Sequence, residues 1–518
     1  MKQVISTRTS GILLHVSSLP SPHGIGDIGH AFDFIDFLLE SGQSYWQILP
    51  LGPTSPVFGN SPYMSFSAFA GNPLFISPEL MIADGLLDRE DVVPPGFSDY
   101  YVEFERVIAW KATILARGWQ KFQRTEERAD FERFCVEAPW LASYSLFMAL
   151  REKFGQAPWY EWPAEYRCAD RQALLVASVD FAERIDYFSF EQYLFHRQWQ
   201  RLREYARSKE IWIIGDLPIY VGADSVDVWA NQQIFDLHAR TRRPVNIAGV
   251  PPDYFSSTGQ RWGNPLYRWG TRKGSVKKQL FNWWHDRLAA IFSLLDIIRI
   301  DHFRGFESFW SIPVGEETAE KGIWKKGPGF PFFQEMQHRL GPLPIIAEDL
   351  GIITPQVEEL RDRLGFPGMK ILQFAFDDNE NNPYLPFNYE NNCVVFTGTH
   401  DNDTTVGWYL DQEVSPAAKA AMKRAINKGG GDVQAVHREL IYLALSSVAV
   451  LSIIPMQDIL GFGNDCRMNK PGTTSGNWLW RCAPWYLSKE ISAWLHEETR
   501  FFNRLSRNEQ RGEEEGVT

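Results

Sequence analysis

The chain has 518 residues, of which 44% are hydrophobic and 22% are charged, and these ordinary globular values exclude a mostly disordered or collagen-like chain. The 64 acidic and 52 basic residues give a formal net charge of -12, which disfavours nucleic acids and anionic membrane surfaces as partners. Aromatic residues make up 14% of the chain, so flat apolar faces remain available beyond ordinary core packing.

The cysteines and the N-terminal segment bear on the compartment. Five cysteines lie far apart with no CxxC pair, which is typical of reduced thiols in a cytoplasmic protein. The segment MKQVISTRTSG lacks the apolar run of a signal peptide, and the most apolar stretch, residues 442–456, is too short to span a bilayer. We therefore expect a cytoplasmic protein without a membrane segment, and nothing indicates an obligate protein partner.

Eight short aliphatic or β-branched runs predict strands, each followed by loop and helical sequence. Runs as apolar as IWIIG and VAVLSII are typical of parallel strands that are covered on both faces. Between them lie amphipathic patterns such as residues 28–41, which end at Gly42. This alternation predicts an α/β fold, a (β/α)8 TIM barrel. The predicted strands are residues 11–20, 45–53, 211–221, 297–303, 343–351, 369–376, 393–402 and 448–460.

The uneven spacing of these runs predicts insertions into one barrel domain that occupies residues 1–518. Residues 54–210, after the second strand, are expected to form mainly helical inserted subdomains. Residues 222–296, after the third strand, form a second predicted insert, and its segment 250–267 is rich in Gly, Pro and aromatic residues.

Acidic residues follow four of the predicted strands, at Asp216, Asp301, Glu348 and Asp401. Because the loops after barrel strands converge on one face, we expect these acids to share a pocket. Arg299 lies two residues before Asp301 and therefore points to the same side of the strand. A neighbouring guanidinium keeps a carboxylate ionised.

Clustered carboxylates without a cofactor motif favour glycoside cleavage, because that chemistry needs one ionised and one protonated carboxyl group. We expect Asp301 to stay charged and attack the anomeric carbon, and Glu348, after the apolar run IIA, to act as the acid and then the base. Asp401 is expected to bind sugar hydroxyls and Asp216 to contact substrate. No nucleotide, dinucleotide or zincin motif is present, so no cofactor is expected.

Structural interpretations of the same residues stand beside the catalytic one. Each acid taken singly suits a helix cap or a salt bridge. The segment HDND, residues 400–403, could bind a metal ion, although oxygen-rich calcium loops have a longer ligand pattern. His302 and His400 suit either buried core positions or hydrogen bonds to sugar hydroxyls.

Longer strings resemble those of 4-α-glucanotransferase, the amylomaltase or disproportionating enzyme of glycoside hydrolase family 77 in the α-amylase clan. The resemblance spans roughly residues 9 to 502, in the family's order. The strings are SGILLHVSSLPSPHGIGDIG, GNSPYMSFSAFAGNP, VPPDYFSSTGQRWGNPLY, RIDHFRGFESFW, AEDLGIITPQV, GTHDNDTTVGW and RMNKPGTTSGNWLWR.

The resemblance implies a single decorated barrel without a separate C-terminal β-domain. By position in the motifs, Asp301 is similar to the family's nucleophile, Glu348 to its general acid/base and Asp401 to its transition-state stabiliser. The loop 250–267 is implied to bind glucan. The other residues that the resemblance places around the sugar are Arg299, His302, His400, Tyr63, Trp262, Asp253, Gln260 and Asn469.

The implied activity moves a segment of an α-1,4-glucan to the 4-hydroxyl of another glucan or of glucose, by retaining double displacement and without a metal. The implied partners are maltooligosaccharides, amylose, glycogen and glucose. A retaining mechanism requires carboxyl groups about 5 to 5.5 Å apart. Two positions depart from the family: Phe58 replaces a Tyr of a secondary glucan site in some members, and Cys466 replaces a small residue.

Three rival functions remain open at this stage. A hydrolase of the same clan would use the same acids but would not lengthen chains. A second rival is a protein on this fold that binds glucan without catalysis. A third is a metal-dependent lyase or aldolase on the same barrel, because one fold can support unrelated functions.

Overall fold

The computed structural model describes residues 5–125, 128–252, 256–377, 379–426 and 435–506. The strands are β1 (Thr9–Leu13), β2 (Tyr45–Gln47), β3 (Trp212–Pro218), β4 (Asn246–Val250), β5 (Gln260–Pro265), β6 (Ile297–Asp301), β7 (Ser308–Pro313), β8 (Ile323–Lys326), β9 (Ile345–Ala347), β10 (Gly368–Ile371), β11 (Cys393–Phe396) and β12 (Leu451–Pro455).

The helices cover the barrel and fill the long connections between its strands. They are α1 (Ala31–Glu40), α2 (Pro78–Ala83), α3 (Phe104–Phe122), α4 (Ala129–Glu137), α5 (Leu141–Lys153), α6 (Ala164–Arg167), α7 (Arg171–Asp180), α8 (Ala182–Ser208), α9 (Val226–Ala230), α10 (Gly274–Leu294), α11 (Gly329–Leu340), α12 (Pro355–Leu364), α13 (Thr405–Leu410), α14 (Pro416–Ala425), α15 (Val436–Ser446), α16 (Met456–Ile459) and α17 (Lys489–Phe501).

Eight parallel strands form the barrel, in the order β10-β11-β12-β1-β2-β3-β6-β9. The backbone N–H of Ala347, at the end of β9, donates to the carbonyl of Pro367, just before β10, at 2.9 Å and links the two outer strands of this order. Each strand falls within or beside one of the eight predicted runs, so the predicted α/β barrel is confirmed. The observed strands are shorter, because the predicted runs also included the loops that follow them.

Close packing between strands explains one glycine in β1. A Cβ atom at Gly11 would lie 2.4 Å from the carbonyl oxygen of Tyr45 in β2. Only glycine permits that backbone approach. The residue type at position 11 is therefore set by the short distance between β1 and β2.

A second, antiparallel sheet with the order β5-β4-β7-β8 was not anticipated from the sequence. It draws β4 and β5 from the predicted insert 222–296 and β7 and β8 from the connection after β6. Its strand β5 carries Gln260 and Trp262, two of the expected glucan-binding residues.

The long helix α8 fixes the backbone of the segment that follows Tyr63. The Gln192 amide accepts from the N–H of Gly71 at 2.8 Å and donates to its carbonyl at 2.9 Å. The Gln198 amide makes the same pair of bonds with Ser77, at 2.7 and 3.1 Å. Helices α2 to α8 all lie between β2 and β3, while the insert bounds 54–210 and 222–296 stay predictions.

Among the helices of the described ranges, none combines the length and apolar character that a membrane crossing requires.

An ionic cluster around the buried Asp27 ties the segment before α1 to α2 and α3. Asp27 has no exposed side-chain surface and accepts from His23 Nδ1 at 2.7 Å and His30 Nδ1 at 3.0 Å. The Lys111 ammonium lies 3.9 Å from the same carboxylate, and His23 Nε2 lies 2.9 Å from Glu79. Burial opposes the charge on Asp27, but the bonds from His23 and His30 hold its pKa well below the usual range.

We predict that Asp27→Asn lowers the free energy of unfolding by about 3–5 kcal/mol, because it leaves the buried Lys111 ammonium without its nearest carboxylate. Since the pKa of Asp27 is lowered on folding, its contribution is present at neutral pH and is lost as the solution becomes acidic. Urea unfolding at pH 7 and in acid measures both effects.

The control is Asp180→Asn at the exposed end of α7, which should change the free energy of unfolding by less than about 0.5 kcal/mol. Equal, small effects of the two substitutions would contradict a stabilising role for the cluster.

Candidate active site

The four acids predicted from the sequence lie at or after the carboxyl ends of four barrel strands. Asp216 lies within the last residues of β3, Asp301 ends β6, Glu348 directly follows β9, and Asp401 lies in the loop after β11. The negative charge of Asp301 contributes to a raised pKa of Glu348, and the charge of Asp401 contributes to a raised pKa of Asp301. The structure therefore brings these four side chains together.

Arg299 is the charged centre of the site. Its Nη2 atom donates to Asp216 Oδ2 at 2.8 Å and to Asp301 Oδ1 at 3.3 Å, while its Nε atom donates to Asp216 Oδ1. The Tyr63 hydroxyl also donates to Asp216. The side-chain exposure is 4% for Arg299 and 32% for Asp301, so the guanidinium is buried and the carboxylate that it contacts reaches solvent.

Asp216, which is expected from the sequence to contact substrate, is enclosed in the structure. Its side chain has 0% exposure, and both of its oxygens are used by Arg299 and Tyr63. With both oxygens bonded in this way, Asp216 presents no exposed side-chain surface. It instead holds Arg299 and Tyr63 in place, a role that depends on burial and is not readable from the strand-end pattern.

The two central carboxyl groups have pKa values that differ in the direction the chemistry requires. Burial raises the pKa of Asp301 to about 6, against the opposing charge of Arg299. Burial and then the charge of Asp301 raise the pKa of Glu348 to about 8, against Arg299 and two backbone N–H donors. At neutral pH, Asp301 is therefore mainly ionised and Glu348 mainly protonated.

The two donors that hold Glu348 are the backbone N–H groups of His302, at 2.6 Å from Oε2, and of Leu350, at 2.9 Å from Oε1. His302 has the left-handed conformation, with φ 55° and ψ 49°, which histidine adopts more readily than most residues. A non-glycine residue in this conformation costs about 1–2 kcal/mol. Such local strain is typical of positions that a site constrains.

The His302 ring faces the predicted sugar-binding region. Burial lowers its pKa to about 3, so the imidazole is neutral. Its Nε2 atom is buried and has no hydrogen-bond partner within the described ranges. The ring meets Trp262 edge-on with centroids 4.8 Å apart, and the Trp262 indole N–H donates to Gln260 Oε1 at 3.1 Å.

Asp401 is held from several sides. Asn469 Nδ2 donates to its Oδ1 atom at 2.6 Å, and His400 Nε2 lies 3.3 Å from its Oδ2 atom. Burial favours the neutral acid, but His400 and Asn469 outweigh it and lower the pKa of Asp401 to about 2. The side chain is 46% exposed, so a permanently ionised carboxylate faces the cleft.

Aromatic rings extend the site beside Asp401. Tyr63 stacks on His400 with ring centroids 5.1 Å apart and lies 5.8 Å from Trp478, and its hydroxyl lies 2.8 Å from His400 Nε2. Arg467 donates to the backbone carbonyl of Asp401 at 2.6 Å.

Sequence reasoning named neither Trp478 nor Arg467, although both occur in the string RMNKPGTTSGNWLWR. Position within that string was the signal that could have identified them. The expected residue Asp253 lies outside the described residues.

One group of four residues in the described ranges could hold a metal ion, with one ligand atom from each within 4.8 Å of the others. It is the cluster of His23, Asp27, His30 and Glu79, in which His23 and Asp27 are buried and Glu79 is exposed, and it does not include the HDND segment. Both ring nitrogens of His23 already face carboxylates, and Lys111 supplies positive charge. Hydrogen bonds within the cluster account for its arrangement, so we assign it no metal.

An ionised carboxylate beside a guanidinium, a protonated carboxyl group and a third, strongly ionised carboxylate form the set that retaining glycoside chemistry uses. The neighbouring neutral histidine and aromatic rings suit the polar rim and the apolar face of a sugar ring.

Comparison with known proteins agrees with this geometry. Residues 14–487 match the model of glycoside hydrolase family 77, described as 4-alpha-glucanotransferase. The chain is 49% identical to 4-alpha-glucanotransferase of Synechocystis sp., over 97% of this chain and 99% of that protein. It is 47% identical to 4-alpha-glucanotransferase of Thermus thermophilus, over 96% of this chain and 99% of that protein.

Among solved structures, the chain resembles amylomaltase from Streptococcus agalactiae in complex with acarbose. The TM-score is 0.91 at 38% identity, with 96% of this chain and 100% of that chain covered. The chain therefore belongs to glycoside hydrolase family 77, the 4-alpha-glucanotransferases.

Proposed function

We propose that Asp301 is the nucleophile, Glu348 the general acid/base and Asp401 the stabiliser of the transition state in the family's reaction. That reaction is 4-α-glucanotransfer between α-1,4-glucans with retention at the anomeric carbon, and it is the activity of this chain. The observation that supports the assignment is the contact of Arg299 with Asp301 at 3.3 Å, beside a Glu348 whose pKa is raised to about 8.

In the first half-reaction, an Asp301 oxygen attacks C1 of the glucose residue at the cleavage point. The bond between C1 and the glycosidic oxygen breaks, and Glu348 gives its proton to that oxygen, so that the leaving chain departs with a free 4-hydroxyl. Asp401, ionised at all physiological pH values because its pKa is lowered to about 2, stabilises the positive charge that develops on the ring.

In the second half-reaction, the Glu348 carboxylate takes the proton from the 4-hydroxyl of an acceptor. The acceptor oxygen forms a bond to C1, and the ester bond to Asp301 breaks. Two inversions at C1 give net retention, which requires the two carboxyl groups to lie about 5 to 5.5 Å apart. Transfer in place of hydrolysis requires that the acceptor sugar occupies the cleft and excludes water from C1.

We propose that some of the surrounding residues contact the sugar directly and that others hold the side chains of catalytic or sugar-binding residues in place. We propose sugar contacts for the His302 ring, through its Nε2 atom, and for His400, which borders the cleft beside Asp401. Arg299 acts on the sugar through Asp301, and Asp216 acts through Arg299 and Tyr63. The further residues proposed to line the glucan path are Tyr63, Trp262, Gln260, Asn469 and Asp253.

The proposed substrates are maltooligosaccharides, amylose and glycogen as donors, with glucose among the acceptors. A homologous amylomaltase has been solved with acarbose, which is an oligosaccharide of comparable shape. A cytoplasmic setting is part of the proposal and is supported by five cysteines that are all free thiols.

We predict a bell-shaped dependence of kcat/KM on pH. Activity should rise as Asp301 ionises near pH 6 and fall as Glu348 loses its proton near pH 8, because the nucleophile must be charged and the acid protonated. Initial rates of glucose release from maltotriose across pH 4 to 10 give the profile.

The matched variant is Glu348→Gln, whose low residual activity should lack the fall on the alkaline side. A residual activity that kept the alkaline limb would contradict the assignment of Glu348.

Pure maltotriose distinguishes transfer from hydrolysis. A transferase converts it into glucose together with maltopentaose and longer chains, because the departing glucose leaves a maltosyl enzyme that reacts with a second maltotriose. Chromatography of the products at early times should show chains longer than the substrate. A product mixture of only glucose and maltose would instead identify a hydrolase.

A further inference from the structure

The loop that carries Asp401 runs from the end of β11 to the start of α13, and its two ends meet one carboxylate. That carboxylate belongs to Asp458 in α16, the short helix after β12. Asp458 is 1% exposed and borders a cavity that is also lined by His400.

The contacts of Asp458 are specific. Its Oδ2 atom accepts from the Thr397 hydroxyl at 2.5 Å, and its Oδ1 atom accepts from the backbone N–H of Thr405 at 2.7 Å. Thr397 is the first residue after β11, and Thr405 is the first residue of α13. One planar group therefore fixes both ends of the loop that contains Asp401.

The charged form of the Asp458 carboxylate is unfavourable at this buried position. Within the part of the chain that the structure describes, Asp458 forms no ion pair with Lys, Arg or His, and burial raises its pKa. Placing an acid in such an environment is unfavourable unless strong hydrogen bonds compensate. The carboxylate accepts two short hydrogen bonds, one with each oxygen, and the spacing of these oxygens is fixed.

Hydrogen bonds also hold the part of the loop between these two points. Asn402 Oδ1 accepts from the backbone N–H and the hydroxyl of Thr399, at 2.9 and 2.8 Å. At the tip, Asn469 and Arg467 bind the side chain and the backbone of Asp401. Because the loop is bonded internally in this way, a displacement at its base is expected to shift its tip.

We propose that Asp458 is a positioning residue for glucan transfer, which sets the place of Asp401 in the cleft by clamping Thr397 and Thr405. This inference rests on the proposed role of Asp401. Asp458 touches neither sugar nor reacting atoms, so its effect is expected on the chemical step and on transition-state binding, with little effect on ground-state binding of glucan.

The central experiment compares Asp458→Ala with Asp458→Asn. Alanine removes both acceptors, and we expect kcat on maltotriose to fall about 100-fold, the typical cost of a displacement near 1 Å, with KM changed less than threefold. Asparagine keeps an amide oxygen for the Thr405 N–H and an amide that can donate to the Thr397 hydroxyl oxygen, so it should retain at least a tenth of the wild-type kcat.

Acarbose affinity supplies a readout that a merely structural role would not change. Its charged, flattened ring resembles the transition state, so Asp458→Ala should weaken acarbose binding by a factor similar to the loss in kcat. The control is Ser452→Ala in β12, whose buried hydroxyl has no hydrogen-bond partner in the described ranges. This substitution should leave kcat and acarbose affinity within twofold of wild type.

If Asp458→Ala does not fold, Thr397→Val and Thr397→Ser decide the matter, because only serine keeps the donor to Asp458. Positioning predicts that valine lowers kcat with KM unchanged and that serine restores it. The proposal is overturned if folded Asp458→Ala, or Thr397→Val, keeps kcat within threefold of wild type. Asp401→Asn distinguishes failure of the positioning role of Asp458 from failure of the proposed function. Full turnover by that variant would refute the proposed function itself.

Discussion

The buried guanidinium of Arg299 is the interaction on which the site depends. It lies inside the barrel at 4% exposure, with Asp216 as its enclosed counter-ion and Asp301 as the carboxylate that it presents to the cleft. Burial by itself would favour the protonated form of every acid at this depth. Because Arg299 contacts Asp301 directly, that acid ionises more readily than Glu348, which lies beside the negative charge of Asp301.

The barrel makes this separation of roles possible by assigning each group to a different strand. Arg299 and Asp301 share β6, Asp216 comes from the adjacent β3, and Glu348 follows β9 on the other side. The third acid, Asp401, lies in a loop and depends on contacts to hold it in place. Asp458 fixes the base of that loop, and Asn469 and Arg467 fix its tip.

Much of the barrel could be predicted from sequence because parallel strands covered on both faces are continuous apolar runs. The acids at the strand ends were predictable for a related reason, since the loops of a barrel converge on one face. Burial and partner choice could not be predicted in the same way. Asp216 matched the pattern of a substrate contact, yet it is enclosed by Arg299 and Tyr63, which are distant from it in the sequence.

The same limit applies to features that arise only from tertiary contacts. The left-handed backbone of His302, which directs its N–H to Glu348, has no local sequence signal. The antiparallel sheet around Trp262 is assembled from two separate connections of the barrel, each unremarkable alone. Asp458 was missed because the predicted strand 448–460 extended past it, whereas the observed strand β12 ends at Pro455.

Trapping of the glycosyl enzyme tests the assignment of the nucleophile most directly. A 5-fluoro-α-glucosyl fluoride forms the covalent intermediate and slows its breakdown, because fluorine disfavours the positively charged transition state. After proteolysis, mass spectrometry should find one 5-fluoroglucosyl group on the peptide that contains Asp301 and on that side chain. The same group on Asp401 or Glu348 would contradict the account, since the carboxylate held by Arg299 would then not be the one that attacks.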